Sequence, residues 1–207
     1  HEEPAYLVMM VLSVAGVSVL AGRMARLRRR LQRQREELNA ALARLELLAS
    51  KDTLTGLSNR RHGEELLREA LARFARGGPI LHVLLIDLDH FKRVNDMHGH
   101  GGGDVVLRSF ARIALDALRS TDSAVRWGGE EFLLLLLGGD CAVPIERLRL
   151  AVAAAKVALP GGGELSFTFS GGLTGAQASD TVETVLERAD AALYRAKAAG
   201  RDRVEPG

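Results

Sequence analysis

The most constraining stretch of this sequence is a pair of glycines followed by two acids and a run of leucines, WGGEEF at 127–132 and five leucines at 133–137. Adjacent glycines permit a tight turn, and the apolar residues on both sides predict that it is the tip of a β-hairpin. The leucines alone could form a helix, but Gly138 and Gly139 limit the run to the length of a strand. Two acids on a rigid hairpin can hold a divalent cation, although a solvated hairpin tip without function would have the same sequence.

Length and composition favour one domain with an appendage. The chain has 207 residues, of which 47% are hydrophobic, and a net charge of +2. Seven arginines lie within 23–35, so the remainder is acidic, which argues against nucleic-acid binding. The single Cys141 excludes an intramolecular disulfide and a cysteine-based metal cage, and it fits a reducing cytosolic setting.

Residues 4–22 carry no charge and predict a transmembrane helix, because about 1.5 Å per residue brings such a helix to the thickness of the hydrocarbon core. Tyr6 would lie near one interface and the arginine cluster at the other, which places the C-terminal side in the cytoplasm. A cleaved signal peptide is disfavoured because Glu2 and Glu3 precede the apolar run, and a buried soluble helix is the remaining alternative. Because the chain begins with His1, we expect it to be part of a longer protein.

The next segment, 23–50, combines basic residues with a heptad pattern. Its a and d positions are apolar at seven of eight places: Met24, Leu27, Leu31, Gln34 (the exception), Leu38, Ala41, Leu45 and Leu48. This pattern predicts a parallel two-stranded coiled coil, and therefore a homodimer. A helix packed on its own domain would show a similar stripe.

The rest of the chain alternates helices and strands, which predicts an α/β fold with one sheet and helices packed over it. Helices are predicted near 61–76, 104–118, 145–159 and 181–199. Strands are predicted at 80–88, 124–127, 133–137 and 164–173, and the continuous apolar run of the first indicates a buried central strand.

Two acids end that first strand, Asp87 and Asp89. If the strand pairs with the hairpin, Asp87 and Glu130 meet at one edge of the sheet. Two carboxylates and a backbone carbonyl leave room for the waters and phosphates that Mg²⁺ prefers to keep, which suits phosphoryl or nucleotidyl transfer. For Asp89 a purely structural position at a strand end is an equally good interpretation.

The glycine-rich segment 95–104 follows. Asparagine and aspartate side chains together can read a purine edge, and the glycines allow a base to approach closely. The three histidines nearby, His90, His98 and His100, invite a zinc site, but they lack the spacing of a helical ligand pair and the neighbouring acids suit harder cations.

Five motifs in this order resemble those of the GGDEF domain, the catalytic module of diguanylate cyclases: DTLTGLSNRR, IDLDHFKRVNDMHGHGGGDVVL, RWGGEEF, SGGLT and ADAALYRAKAAGRDRV. The resemblance covers about three quarters of the chain and implies a domain at 51–204 with a nucleotidyl cyclase-like central β-sheet flanked by helices. Active members also use glutamate at the third motif position. The departures are small: His98 replaces a usual aromatic residue, His90 replaces a common apolar one, and the strand motif carries an extra glycine at 170–172.

The resemblance implies specific roles for the acids. Asp87, Glu130 and the carbonyl of Leu88 correspond to the ligands of two Mg²⁺ ions, with Mn²⁺ as a possible substitute. Glu130 also corresponds to the base that takes the proton of the ribose 3′-hydroxyl, and Glu131 would help to hold metals and phosphates.

The substrate contacts implied by the resemblance lie on either side of these acids. Asn95 and Asp104 match the pair that reads guanine, and His100 matches a further substrate position. The β- and γ-phosphates would be held by the backbone around His90, by Phe91 and Lys92, and by Lys197 and Arg201.

The implied reaction joins two GTP molecules into cyclic di-GMP (c-di-GMP) and releases two pyrophosphates, with two modules facing each other in a homodimer. Arg119 and Asp122 resemble the family's inhibitory site, at which the product c-di-GMP binds. With the predicted span, the implied location is the bacterial inner membrane with the catalytic domain in the cytoplasm. The alternatives are a non-catalytic sensor that binds GTP or c-di-GMP, and a two-metal polymerase or nuclease, which the lack of a basic track disfavours.

Overall fold

The computed structural model describes residues 23–24, 28–36 and 50–207. The chain divides into two units, 1–49 and 50–207. The described residues of the first unit are helical, and Met24 and Leu31 are exposed there. Within the described parts of the chain, no helix is long and apolar enough to cross a bilayer. The predicted span at 4–22 and most of the predicted coiled coil lie outside these parts, so both remain predictions.

The second unit contains four helices and eight strands. The helices are α1 (Arg60–Ala75), α2 (Phe91–Ala117), α3 (Ala142–Ala154) and α4 (Val182–Ala198). The strands are β1 (Ser58–Asn59), β2 (Leu81–Leu88), β3 (Ser123–Arg126), β4 (Glu131–Leu137), β5 (Val157–Ala158), β6 (Glu164–Leu165), β7 (Phe169–Gly175) and β8 (Val204–Pro206). Six strands form one sheet in the order β1-β3-β4-β2-β7-β8, and β5 pairs with β6 in a separate hairpin.

The main sheet is mixed. Strand β2 lies inside it and pairs antiparallel with β4 and β7, whereas β1 with β3 and β7 with β8 are parallel pairs. This arrangement confirms the predicted α/β fold with a central sheet, the buried central strand and the hairpin between β3 and β4.

Both faces of the sheet are covered. Leu84, Ile86 and Leu88 of β2 pack on the face covered by α2 and α3. The alternate residues Val83 and Leu85 pack on the face covered by α1 and α4. A strand buried on both faces needs apolar side chains at successive positions, which explains the unbroken apolar run in β2.

Several predicted boundaries were wrong. Helix α2 begins at Phe91 and continues through the glycine-rich segment, with a kink at Gly99, where φ is 67°. Helix α3 is 142–154 and not 145–159, and the predicted strand 164–173 is two strands, β6 and β7, separated by 166–168. Glycines and short strands give weak periodic signals, so the pattern alone did not define these ends.

A partly buried ion pair at the start of α4 gives a pH-dependent prediction. Nη1 and Nη2 of Arg188 donate hydrogen bonds to the two carboxylate oxygens of Asp180, at 2.6 and 2.7 Å. The side chain of Asp180 is 3% exposed. Hydrogen bonds from Arg188 hold the pKa of Asp180 at about 2, below its ordinary value of 3.8. Because the folded state favours the ionised carboxylate, this contribution is present above pH 4 and is lost as the pH falls towards 2.

We therefore expect Asp180→Asn to lower the free energy of unfolding by about 2 kcal/mol at pH 7. Urea denaturation at pH 7, 5, 4 and 3 should show the difference from the unmodified chain shrinking below pH 4. The control is Asp116→Asn, which removes an exposed ion pair with Arg112 at 3.9 Å and should change the stability little. A difference between Asp180→Asn and the unmodified chain that is equal at pH 7 and pH 3 would contradict this account.

Candidate active site

Three acidic residues lie near one another where β2 ends beside the β3–β4 turn. Asp87 is the last residue but one of β2, and its cross-strand partner in β4 is Glu131. Paired residues of neighbouring strands point to the same face of a sheet, so these two acids lie together. Glu130 belongs to the turn, and its carbonyl accepts a hydrogen bond from the amide of Leu88 at 3.2 Å. The sequence predicted the meeting of Asp87 and Glu130, but not that Glu131 takes the position opposite Asp87.

The acids affect one another electrostatically. Burial and the negative charge of Asp87 raise the pKa of Glu130, Lys197 opposes this effect, and Glu131 adds to it. The shift shows that Glu130 lies within the field of both other carboxylates. Lys197 offsets only part of these effects, because the pKa of Glu130 stays above its ordinary value.

Lys197 is the cation placed against this cluster. Its Nζ lies 2.8 Å from Oδ2 of Asp87, whose side chain is 12% exposed. The sequence predicted Lys197 as a phosphate ligand; the structure places it in contact with the predicted metal ligand Asp87, and its contact with phosphate stays a prediction. A lysine in this position can contact either the carboxylate of Asp87 or a phosphate that binds beside it.

The turn fixes the two glutamates. The carbonyl of Glu131 accepts hydrogen bonds from the amides of Trp127 and Gly128, at 2.8 and 3.1 Å. The carboxylate of Glu131 folds over Gly128, where a Cβ atom would lie 2.5 Å from its Oε2. Gly128 therefore makes room for an acid, in addition to permitting the turn.

The donor set fits a hard divalent cation. In the described part of the chain, no group of three or more His, Cys, Asp or Glu side chains is arranged to hold a metal ion by itself. Mg²⁺ is commonly held by one or two carboxylates, with waters and substrate phosphates as the other ligands. Asp87 and Glu130 supply such a pair, and oxygen ligands favour Mg²⁺ over zinc.

Asp89 has a structural position. Its carboxylate accepts hydrogen bonds from the hydroxyls of Thr168 and Ser170, both at 2.7 Å, and from the amide of Asp202 at 3.1 Å. The side chain is buried, so these bonds satisfy most of its acceptor capacity. Of the two interpretations of Asp89, the structure supports the structural one.

The first turn of α2 offers backbone amides near the acids. His90, which precedes the helix, has φ of 57°, and no side chain caps this end. Phe91 is buried in the core and Lys92 is exposed, so the predicted phosphate contact by Phe91 is open to its backbone only. Uncapped amides at the start of a helix attract anions.

The predicted guanine readers lie on both sides of the kink in α2. A Cβ atom on Gly103 would lie 2.0 Å from Oδ1 of Asn95, so the amide of Asn95 rests on that glycine. Asp104 is half-exposed and lies 3.8 Å from Arg108. His100 is exposed. The helix thus brings Asn95 close to the turn that carries Asp104.

Arg126 is a supporting residue that the sequence did not reveal. Its Nη1 lies 3.1 Å from Oδ2 of Asp52, and its Nη2 donates to the carbonyl of Gly129 at 2.8 Å. Burial would raise the pKa of Asp52, but hydrogen bonds from Thr55 and Arg126 lower it overall. Arg126 therefore ties the acidic turn to the start of the domain. The only indication of this contact in the sequence was that its partners belong to two of the family motifs, DTLTGLSNRR and RWGGEEF.

The predicted inhibitory pair lines a separate cavity of about 320 Å³. Asp122 is held in place because its carboxylate accepts hydrogen bonds from the amides of Arg119 and Leu137, both at 3.0 Å. Arg147 of α3 lines the same cavity and was not predicted. Two guanidinium groups around one cavity suit an anionic ligand.

Residues 49–203 match the family described as "Diguanylate cyclase, GGDEF domain". The chain therefore belongs to the GGDEF family. The match covers strands β1–β7, helices α1–α4 and every predicted site residue, and it ends just before β8.

Two known relatives are similar to this chain over most of its length. Diguanylate cyclase DgcP of Pseudomonas aeruginosa is 42% identical over 192 residues, which are 90% of this chain and 28% of DgcP. Response regulator PleD of Caulobacter vibrioides is 39% identical over 187 residues, 87% of this chain and 41% of PleD. The chain thus spans less than half the length of these two relatives.

Solved structures share the fold. Diguanylate cyclase SiaD of P. aeruginosa, crystallised with its activator SiaC, has a TM-score of 0.76 at 38% identity and covers 100% of this chain and 80% of its own. The coiled coil and GGDEF domain of DgcB from Caulobacter crescentus, in complex with c-di-GMP, gives 0.77 at 30% identity, covering 91% and 99%.

Proposed function

We propose that this chain is a diguanylate cyclase that condenses two GTP molecules into c-di-GMP with release of two pyrophosphates. The observation that carries the proposal is the cluster of Asp87, Glu130 and Glu131 with Lys197 as the cation against it. A receptor that only bound nucleotide would have no need of so many acids around its phosphates. The relatives DgcP and SiaD, both named diguanylate cyclases, support the same activity.

Each residue of the site has a distinct proposed role. Asp87, Glu130 and the carbonyl of Leu88 would hold Mg²⁺, which supplies charge stabilisation for the attacking and leaving oxygens when it is bound. Glu130 takes the proton from the ribose 3′-hydroxyl, and burial beside Asp87 raises its pKa in the direction that favours this role. Glu131 keeps the turn in place. Lys197 and Arg201 neutralise the charge of the β- and γ-phosphates as pyrophosphate leaves. The first amides of α2 donate hydrogen bonds to the same phosphates.

A closed ring requires two such sites. Each 3′-hydroxyl must attack the α-phosphate of the other GTP, so we propose a homodimer with a two-fold axis. The heptad pattern in 23–50 and the exposure of Met24 and Leu31 in the single chain support pairing through a coiled coil. The uncharged segment 4–22 and the arginines after it support anchorage in the bacterial inner membrane, with the catalytic unit in the cytoplasm.

The test is incubation with GTP and Mg²⁺ followed by mass spectrometry of the nucleotides. We expect c-di-GMP to accumulate, and we expect no product when Mg²⁺ is replaced by a chelator. Binding of GTP without any turnover would favour the alternative, a non-catalytic sensor of GTP or c-di-GMP.

Guanine reading gives a prediction with a matched control. In Gly103→Ala the new methyl group must displace the amide of Asn95, so we expect the Kd for GTP to rise by about tenfold or more. Gly101→Ala is the control, because nothing lies within 4 Å of its Cβ, and alanine should stabilise the helix by about 0.5–1 kcal/mol. Calorimetric titration with a non-hydrolysable GTP analogue measures both. Equal affinities of the two variants would contradict the assignment of Asn95.

We also propose product inhibition at the cavity lined by Arg119, Asp122 and Arg147. Arg119→Ala should raise the c-di-GMP concentration for half-inhibition by about tenfold or more, because a charge-assisted contact to phosphate or guanine is lost. Rates measured with added c-di-GMP test this, with Arg112→Ala as the exposed control. Inhibition that is the same in Arg119→Ala and the unmodified chain would count against this site.

A further inference from the structure

The loop that follows α4 has an unusual backbone. Gly200, Arg201 and Asp202 have φ values of 109°, 65° and 46°, so three successive residues are in the left-handed region. Two of the three are not glycine, and such conformations persist only where the surroundings impose them. This loop carries Arg201, which the proposed function makes a phosphate ligand.

The loop is held from three directions. The amide of Arg201 donates to the carbonyl of Ala196 at 3.0 Å, at the end of α4. The amide of Asp202 donates to the buried carboxylate of Asp89 at 3.1 Å. The side chain of Asp202 accepts from Nη1 of Arg149 in α3 at 2.8 Å, and the same nitrogen lies 3.4 Å from the carbonyl of Asp202.

Arg149 is itself fixed before it reaches the loop. Its Nε and Nη2 donate to the two carboxylate oxygens of Glu146, at 2.9 and 2.7 Å. The side chain of Arg149 is 18% exposed, so it is largely shielded from water. A planar group gripped on one side by Glu146 offers its remaining nitrogen to Asp202 in one orientation, which a lysine in its place cannot do.

We infer that Arg149 is a positioning residue of the active site: it holds the loop 200–202 in its left-handed conformation and so presents Arg201 to the phosphates of the nucleotide. Arg149 lies outside every sequence motif that marks the site, and its contact with the loop joins residues 53 positions apart. The inference rests on the proposed function only through the role of Arg201 as a phosphate ligand.

The test is a double-mutant cycle on nucleotide affinity in the full chain. Arg149→Met should raise the Kd for a non-hydrolysable GTP analogue by about tenfold, similar to Arg201→Met. Because Arg149 acts through Arg201, Arg149→Met should add nothing in the Arg201→Met background. Arg149→Lys should behave like Arg149→Met, and Arg112→Met, which removes an exposed arginine from an ion pair at 3.9 Å, should leave the Kd unchanged.

Additive effects of the two substitutions would overturn the inference, as would a fall in Tm of Arg149→Met with an unchanged Kd. The double-mutant cycle measures nucleotide affinity and not turnover. It therefore tests the role of Arg149 even if the chain binds GTP and makes no c-di-GMP. In that case the proposed cyclase activity fails while the positioning role of Arg149 stands or falls by its own result.

Discussion

Glu130→Gln is expected to reduce the rate of c-di-GMP formation by about 10³-fold or more, because it removes a metal ligand and the proposed base together. Glutamine keeps the size of the side chain and the backbone bond from Leu88 to residue 130, which is made by the carbonyl. The turn should therefore keep its conformation while its chemistry is lost.

A second measurement separates this loss from damage to the fold. Asp87, Glu130 and Glu131 repel one another, so the variant should have an equal or slightly higher Tm without metal. The rise in Tm that Mg²⁺ causes by binding the folded state should shrink. Glu187→Gln, an exposed acid on α4, is the control and should change neither quantity. Turnover within tenfold of the unmodified chain would show that Glu130 is neither the base nor a required metal ligand.

The second large effect is expected from Gly172→Ala in β7. A Cβ atom there would lie 2.0 Å from the carbonyl oxygen of Ala189 and 2.4 Å from the amide nitrogen of Leu193, both in the backbone of α4. Neither atom can move without the helix. We expect a loss of about 3 kcal/mol or more and a fall in Tm of about 6–12 °C.

The same substitution should reduce catalysis in the molecules that remain folded. Helix α4 carries Lys197, whose Nζ lies 2.8 Å from Asp87, so a displaced helix separates the lysine from the acids. Gly175→Ala, on the same strand, is the matched control because its Cβ would make an ordinary contact of 3.8 Å with His82. Thermal unfolding and turnover of the two variants decide the point. If Gly172→Ala were as stable as Gly175→Ala, the packing of α4 on β7 would not be as close as described.

This packing gives a physical reason for the glycine at position 172. The sequence showed an extra glycine in the strand motif at 170–172, without a reason for either of its glycines. In the structure, β7 and α4 approach so closely at this position that their backbones leave no space for a side chain. The reason became visible only when the helix and the strand were seen together.

Local patterns predicted the parts of the fold that depend on neighbours in the sequence. The apolar run of β2 predicted a buried central strand, and the paired glycines predicted the hairpin that carries Glu130. The motifs predicted that Asp87 and the turn would meet. The membrane segment 4–22 and the coiled coil in 23–50 remain predictions, since they lie largely outside the described residues.

Contacts between distant residues could not be predicted in this way. The ion pair of Arg126 with Asp52 joins positions 74 residues apart, and its role in holding the acidic turn depends on the sheet order. The strand register, which places Glu131 and not Glu130 opposite Asp87, depends on where the turn ends. A shift of one residue changes the face of every side chain, and composition does not encode it.

Phosphorus NMR of the chain with GTP and Mg²⁺ tests the central claim most directly, because it identifies and counts the phosphate products in one experiment. The account predicts that the GTP signals are replaced by a phosphodiester signal and by pyrophosphate, with two pyrophosphates for each c-di-GMP. Release of orthophosphate, or GTP signals that shift on binding and are never consumed, would contradict the claim that the WGGEEF turn and Asp87 form half of a cyclase active site.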